Sequence, residues 1–303
     1  MSNKSKTPNR KLIWVYPPNK WRSNSHKTFV YGYCDPRARL FVSVDDYLTP
    51  ERINTFPNGN FAKVTKLPNV ENNVRLIQIL KGIKRVINRK IYISDEQTKH
   101  APSLQVVQRN LDHLSLKSRL LHHYVHWNNR VIVIDPGHGG KEHGTHSPKG
   151  VPEKHFNLQI SKLLYKELKK KVKNVFLTRS KDKFVSLNKR VTFARKKKAD
   201  ILISIHHNAL PDHEDPLKHR GIGIYYTHKF SRKLALKLLH NISKESGLKK
   251  YGVFKRYFAL TRPDFCKSVL IECGFLTHPV EAEYITSKEV QKKIASGIAK
   301  TLD

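Results

Sequence analysis

Cysteine is scarce in this chain: Cys34, Cys266 and Cys273 are the only three among 303 residues. So few and so scattered, they exclude a disulfide framework as the source of stability. Acidic residues are also scarce, 24 against 58 lysines and arginines. No apolar run reaches the roughly 20 residues that a membrane-spanning helix needs. The opening Met1-Ser-Asn-Lys-Ser-Lys-Thr-Pro has the charge of a signal sequence's first region. The apolar stretch behind it, Leu12 to Tyr16, is too short for a secretory core. Length is not lacking, since 303 residues suffice for two ordinary domains and a sizeable core.

What is there begins at Val131-Ile-Val-Ile-Asp-Pro-Gly-His-Gly-Gly140. A short β-branched run fits a strand buried on both faces, as in parallel sheets. It breaks into Asp135, Pro136 and three glycines, so the chain turns sharply where the strand ends. His138 sits in that turn, and open α/β sheets bind ligands beyond the carboxyl ends of their strands. Taken alone, His138 reads equally as an ordinary loop histidine. Asp200-Ile-Leu-Ile-Ser-Ile-His-His-Asn208 repeats the pattern, and Ser268-Val-Leu-Ile-Glu-Cys-Gly-Phe275 ends on Glu272. Side chains alternate across a strand, so His206 and His207 point to opposite faces. One joins His138, and the other meets solvent or a helix. Glu153 opens a run in which Phe156, Ile160, Leu163, Leu164 and Leu168 recur at helical spacing. A glutamate there complements the helix dipole, or supplies the carboxylate of a two-histidine, one-carboxylate zinc site.

From about 131 to 302 the motifs, in order, resemble the zinc-dependent N-acetylmuramoyl-L-alanine amidases that cut peptidoglycan. The matching runs are Ile134-Asp-Pro-Gly-His-Gly-Gly140, Glu153-Lys154, Val175 to Leu187 with Arg190, Ala199 to Ala209, and Val269 to Pro279. The resemblance implies Zn2+ held by His138, Glu153 and His206, with Glu272 acting on the catalytic water. It implies peptidoglycan as substrate and the cell envelope, periplasmic or extracellular, as the place of action. His207 stands where the family usually has a small residue, and either crowds the site or offers a rival ligand. The proline usually found just before the last strand is missing from Arg262-Pro-Asp-Phe-Cys-Lys-Ser268. Only a short stretch separates His206 from Gly221, too little for the inhibitory helix of some relatives, so an open site is expected. Cys273 is expected to face away from the metal as packing.

The expected fold is α/β, a central, mostly parallel sheet flanked by helices at 154–170, 185–198, 231–245 and 288–302, preceded by a small all-β sandwich. Short strand-like runs at 28–34, 38–44, 61–64, 74–80 and 86–93, separated by turn residues, carry the sandwich expectation. Residues 24–96 loosely resemble bacterial immunoglobulin-like modules. The expected layout is a basic segment over 1–24, the β-module over 25–96, a helical connector over 97–129 and the catalytic domain over 130–303.

The formal net charge of +34 is spread along the chain, with 23 basic and 8 acidic residues in 1–130. A basic balance favours polyanions. No nucleic-acid motif is present and no aromatic platform interleaves with the lysines, so a specific nucleic-acid partner is not expected. Anionic wall polymers, or simply solvated lysine-rich faces, account for the same number. Two other functions remain open from the residues: a zinc hydrolase of another acyl bond, and a catalytically silent polyanion- or wall-binding protein.

Overall fold

The computed structural model describes residues 12–23, 25–45, 50–93, 129–211 and 213–302. Its first part is all β. The strands are β1 (Ile13–Tyr16), β2 (Trp21–Ser23), β3 (Lys27–Tyr33), β4 (Arg39–Val44), β5 (Glu51–Ile53), β6 (Asn60–Lys66), β7 (Glu71–Leu80) and β8 (Ile83–Ile93). They form a three-stranded sheet, β1-β3-β6, and a five-stranded sheet, β2-β8-β7-β4-β5. Alternation along the strands sends Val30, Phe61, Leu40, Val42, Val74, Leu76 and Ile91 into one shared core. Two sheets over one core make the expected sandwich. The sandwich starts earlier than expected. Strands β1 and β2 lie within the stretch read as a basic segment, and Leu12 and Trp14 join the core. The expected connector over 97–129 lies, but for its last residue, outside the described residues.

The second part follows the α/β expectation. Its elements are β9 (Val131–Pro136), α1 (Glu153–Lys169), β10 (Asn174–Leu177), α2 (Leu187–Lys196), β11 (Ile201–Asn208), β12 (Ile222–Tyr226), α3 (Lys229–Ser246), β13 (Lys250–Lys255), β14 (Lys267–Phe275), α4 (Glu281–Thr286) and α5 (Lys288–Thr301). The sheet order is β10-β9-β11-β14-β12-β13. Every neighbouring pair is parallel except β12 with β14. Connection length explains the exception, because a parallel return needs a crossover long enough for a helix. The described residues of 209–221 and 256–266 carry no helix, so β12 reverses against β11 and β14 reverses against β13. The long crossover through α3 keeps β12 and β13 parallel.

One sheet face is thickly covered. Ile132, Ile134, Ile201, Ile203, Ile205, Val269 and Ile271 meet Ile160, Leu164, Leu238, Ile242, Ile294 and Ile298 from α1, α3 and α5. Each such fully buried side chain contributes roughly 1.5–3 kcal/mol. The opposite face is thinly covered, with Val133 and Leu202 against Ala194 of α2, Leu260 and Cys266. Strand alternation puts His206 and Glu272 on that second face.

Candidate metal centre

His138 enters the site from the loop after β9, held in a left-handed backbone conformation at φ 58°. Gly137 precedes it, and a Cβ there would meet the His206 ring at 2.2 Å, so only glycine lets the loop lie against that imidazole. Glu153 comes from the first turn of α1 and His206 from the carboxyl end of β11. The structure brings the three together. His138 Nε2 lies 3.1 Å from Glu153 Oε2, and His206 Nδ1 lies 3.2 Å from Glu153 Oε1. The two imidazoles meet edge to face, with centroids 4.9 Å apart. All three donor atoms fall within 4.8 Å of one another. Two imidazole nitrogens and a carboxylate suit a divalent transition metal, with coordination positions left over for water and substrate.

Glu153 is buried and heavily oriented. Its Oε1 accepts from the His207 backbone N–H at 3.0 Å and from Asn157 Nδ2 at 2.9 Å, and its Oε2 accepts from the Thr145 N–H at 3.2 Å. Burial pushes its pKa up, but hydrogen bonds and charge from His138 and His206 outweigh burial and hold it well below the usual range. The carboxylate is therefore ionised and ready to bind a cation. Gly144 sits against it with φ +68°, and a Cβ there would approach Glu153 Oε2 to 2.3 Å. Both histidines keep partial access to a cavity of about 400 Å3 that Glu142, Leu187 and Arg190 help to line. Among the described residues, no helix between β11 and β12 closes it.

Glu272 lies level with His206 on the adjacent strand β14, opposite Gly223 of β12. Neighbouring strands run about 4.8 Å apart. Its Oε2 is shielded from solvent and has no hydrogen-bond partner among the described residues. Burial, then the charge of Glu153, raises its pKa well above the ordinary carboxylate value. Cys273 points the other way, into the thick core, as expected.

His207 is neither crowding nor competing. It turns to the helical face, where its Nδ1 meets Asn157 Oδ1 at 2.8 Å and its ring packs beside Phe156. Burial lowers its pKa to about 4, so it is neutral near pH 7. Asn157 escaped the sequence reading, and Arg179 and Arg190 were read only as parts of matching runs, without a role. Asn157 ties Glu153, His207 and the Gly137 carbonyl together. Fully buried Arg190 pairs with Asp135 at 2.8 Å and donates to the Pro136 and His138 carbonyls at 2.6 and 2.7 Å. Arg179, equally buried, donates to the carbonyls of Pro136, Gly137 and Lys154. The signal for Arg190 was Asp135 inside an apolar strand, where a carboxylate persists only with partners.

Fold and cluster together define a class: an α/β domain with a His-Glu-His cluster and a buried acid at the strand ends of one sheet face. The chain belongs to the N-acetylmuramoyl-L-alanine amidase family, whose profile matches residues 132–303. N-acetylmuramoyl-L-alanine amidase AmiC of Neisseria meningitidis is 29% identical over 215 residues, covering 56% of this chain and 51% of that protein. The probable cell wall amidase LytH of Staphylococcus epidermidis is 33% identical over 175 residues, 56% of this chain and 57% of LytH. The chain thus spans about half the length of the curated relatives it matches. The solved amidase of Clostridium difficile is 34% identical with a TM-score of 0.54, covering 57% of this chain and 95% of its own. AmiC2 of Nostoc punctiforme gives 32% and 0.54, over 57% and 94%.

Proposed function

We propose that this protein is a zinc-dependent amidase that hydrolyses the bond between N-acetylmuramic acid and L-alanine in peptidoglycan, acting in the cell envelope. His138, Glu153 and His206 hold the metal, and Glu272 is the general base. When bound, zinc lowers the pKa of a coordinated water and polarises the scissile carbonyl. Glu272 takes the proton from the attacking water as its oxygen joins the lactyl carbonyl carbon. The same carboxyl then gives that proton to the alanine nitrogen as the C–N bond breaks. Asn157, Thr145 and the His207 N–H keep the Glu153 carboxylate aimed during this cycle. The similarity to N-acetylmuramoyl-L-alanine amidase AmiC supports the bond, and that to the probable cell wall amidase LytH supports the wall as the place of action.

One observation carries the mechanism: an unpartnered, buried Glu272 oxygen level with His206 of the His-Glu-His cluster. The test is release of L-alanine-linked stem peptides from purified peptidoglycan by zinc-loaded protein and by Glu272→Gln. The variant should keep one zinc per chain and lose on the order of 100-fold or more in rate, the contribution of a positioned base. If neither protein releases peptide while both hold zinc, the substrate assignment falls and another acyl bond takes its place.

A further inference from the structure

The β-sandwich touches the α/β part at the loop ahead of Glu153 and at the turn after β14. Tyr31, on β3, is 2% exposed, and its hydroxyl donates to the His146 carbonyl at 2.5 Å. The Thr145 side chain stands beside the same phenol. The backbone of Thr145 faces the other way. Its N–H donates to Glu153 Oε2 at 3.2 Å, and its carbonyl accepts from the Glu153 N–H at 2.8 Å. Residues 145 and 146 are thus held between a phenol of the sandwich and a carboxylate of the cluster. A bridge between His146 and Pro152 closes this loop directly ahead of Glu153. On the far side, the Asn58 and Asn60 amides donate to the Pro279 carbonyl, in the turn that follows β14. Lys149 of the same loop lies over the Tyr33 ring at 5.7 Å.

We propose that the β-sandwich aims the metal ligand, with Tyr31 as a positioning residue that acts on Glu153 through the 145–146 peptide. This rests on the reading of His138, Glu153 and His206 as a metal site. The physical reason is the cost of misdirecting a ligand. Outer partners fix a ligand's orientation, and losing one directly bonded to it typically weakens metal binding 10- to 100-fold. Tyr31 stands one peptide further out, so a smaller but measurable effect follows. A buried phenol also needs a partner for its hydroxyl, and here that partner belongs to the loop whose N–H orients Glu153.

The experiment compares zinc affinity, by competition with a chromophoric chelator, in full-length wild type, Tyr31→Phe and Asn60→Ala. Asn60 contacts only the Pro279 side, so its variant loosens the docking without touching the Glu153 relay. Melting temperatures of the metal-free proteins report the structural cost of each change. Tyr31→Phe should weaken zinc binding by about fivefold, below the range for a directly bonded partner, while Asn60→Ala stays within twofold of wild type. If Tyr31→Phe fails to fold, Thr145→Val carries the same test, since it removes the phenol's other polar contact. Unchanged zinc affinity in Tyr31→Phe overturns the inference and leaves the metal site standing. Equal weakening by Tyr31→Phe and Asn60→Ala also overturns it, because the effect is then docking alone. A wild type that binds no zinc overturns the metal site and this inference together.

Discussion

At the scale of single residues, the cluster depends on space as much as on ligands. Gly144 lies between His138 and Glu153, and a Cβ there would meet Glu153 Oε2 at 2.3 Å and His138 Cδ2 at 2.7 Å. Gly144→Ala therefore displaces a proposed metal ligand without removing one. Dialysed variant protein should lose at least about tenfold in zinc affinity, comparable to losing a ligand's support, with an unchanged far-ultraviolet spectrum. Full zinc retention would show that the loop relaxes at no cost. His138, Glu153 and His206, which the structure brings within 4.8 Å of one another, and Glu272 were legible as candidates in the sequence from the order of the motifs that carry them rather than from position alone. Tyr31 and Asn157 were not legible. A tyrosine in a β-strand and an asparagine one turn into a helix look ordinary until the partners arrive from distant positions.

Elements show the same division. Helices α1, α2, α3 and α5 fall within two residues of the expected spans, since each carries a 3.6-residue apolar period over at least two turns. The six-residue α4 escaped, being too short to show a period. The antiparallel junction between β12 and β14 was likewise hidden, because a strand's composition does not record its direction. Besides the packing of Ala194, α2 is tied to the sheet by one buried ion pair, Arg190 with Asp135, backed by Thr178 and Ser204 on the same carboxylate. Arg190→Leu leaves that carboxylate buried without its cation. Chemical denaturation should register a loss of about 3–5 kcal/mol, the usual cost of breaking such a pair from one side. Adding Asp135→Asn should restore part of the loss, and no restoration would mean that Arg190 acts through the backbone carbonyls alone.

For the whole molecule, charge is the dominant property. With 58 basic residues against 24 acidic ones, association with purified anionic wall material should be strong in dilute buffer and weak in concentrated salt. The screening length falls from about 10 Å at 0.1 M to about 3 Å at 1 M, so a pelleting assay across that range reads the effect directly. Salt-independent pelleting would assign retention to specific contacts instead. The sheet order has a consequence for synthesis. Strand β14 is made last, yet it sits between β11 and β12 and brings Glu272 beside His206. A ribosome that has released everything up to residue 260 has emitted His138, Glu153 and His206, while β11 and β12 still lack their common neighbour. Glu272 therefore meets His206 only once β14 has been made, so the buried acid is the last of the four side chains to reach its place in this domain.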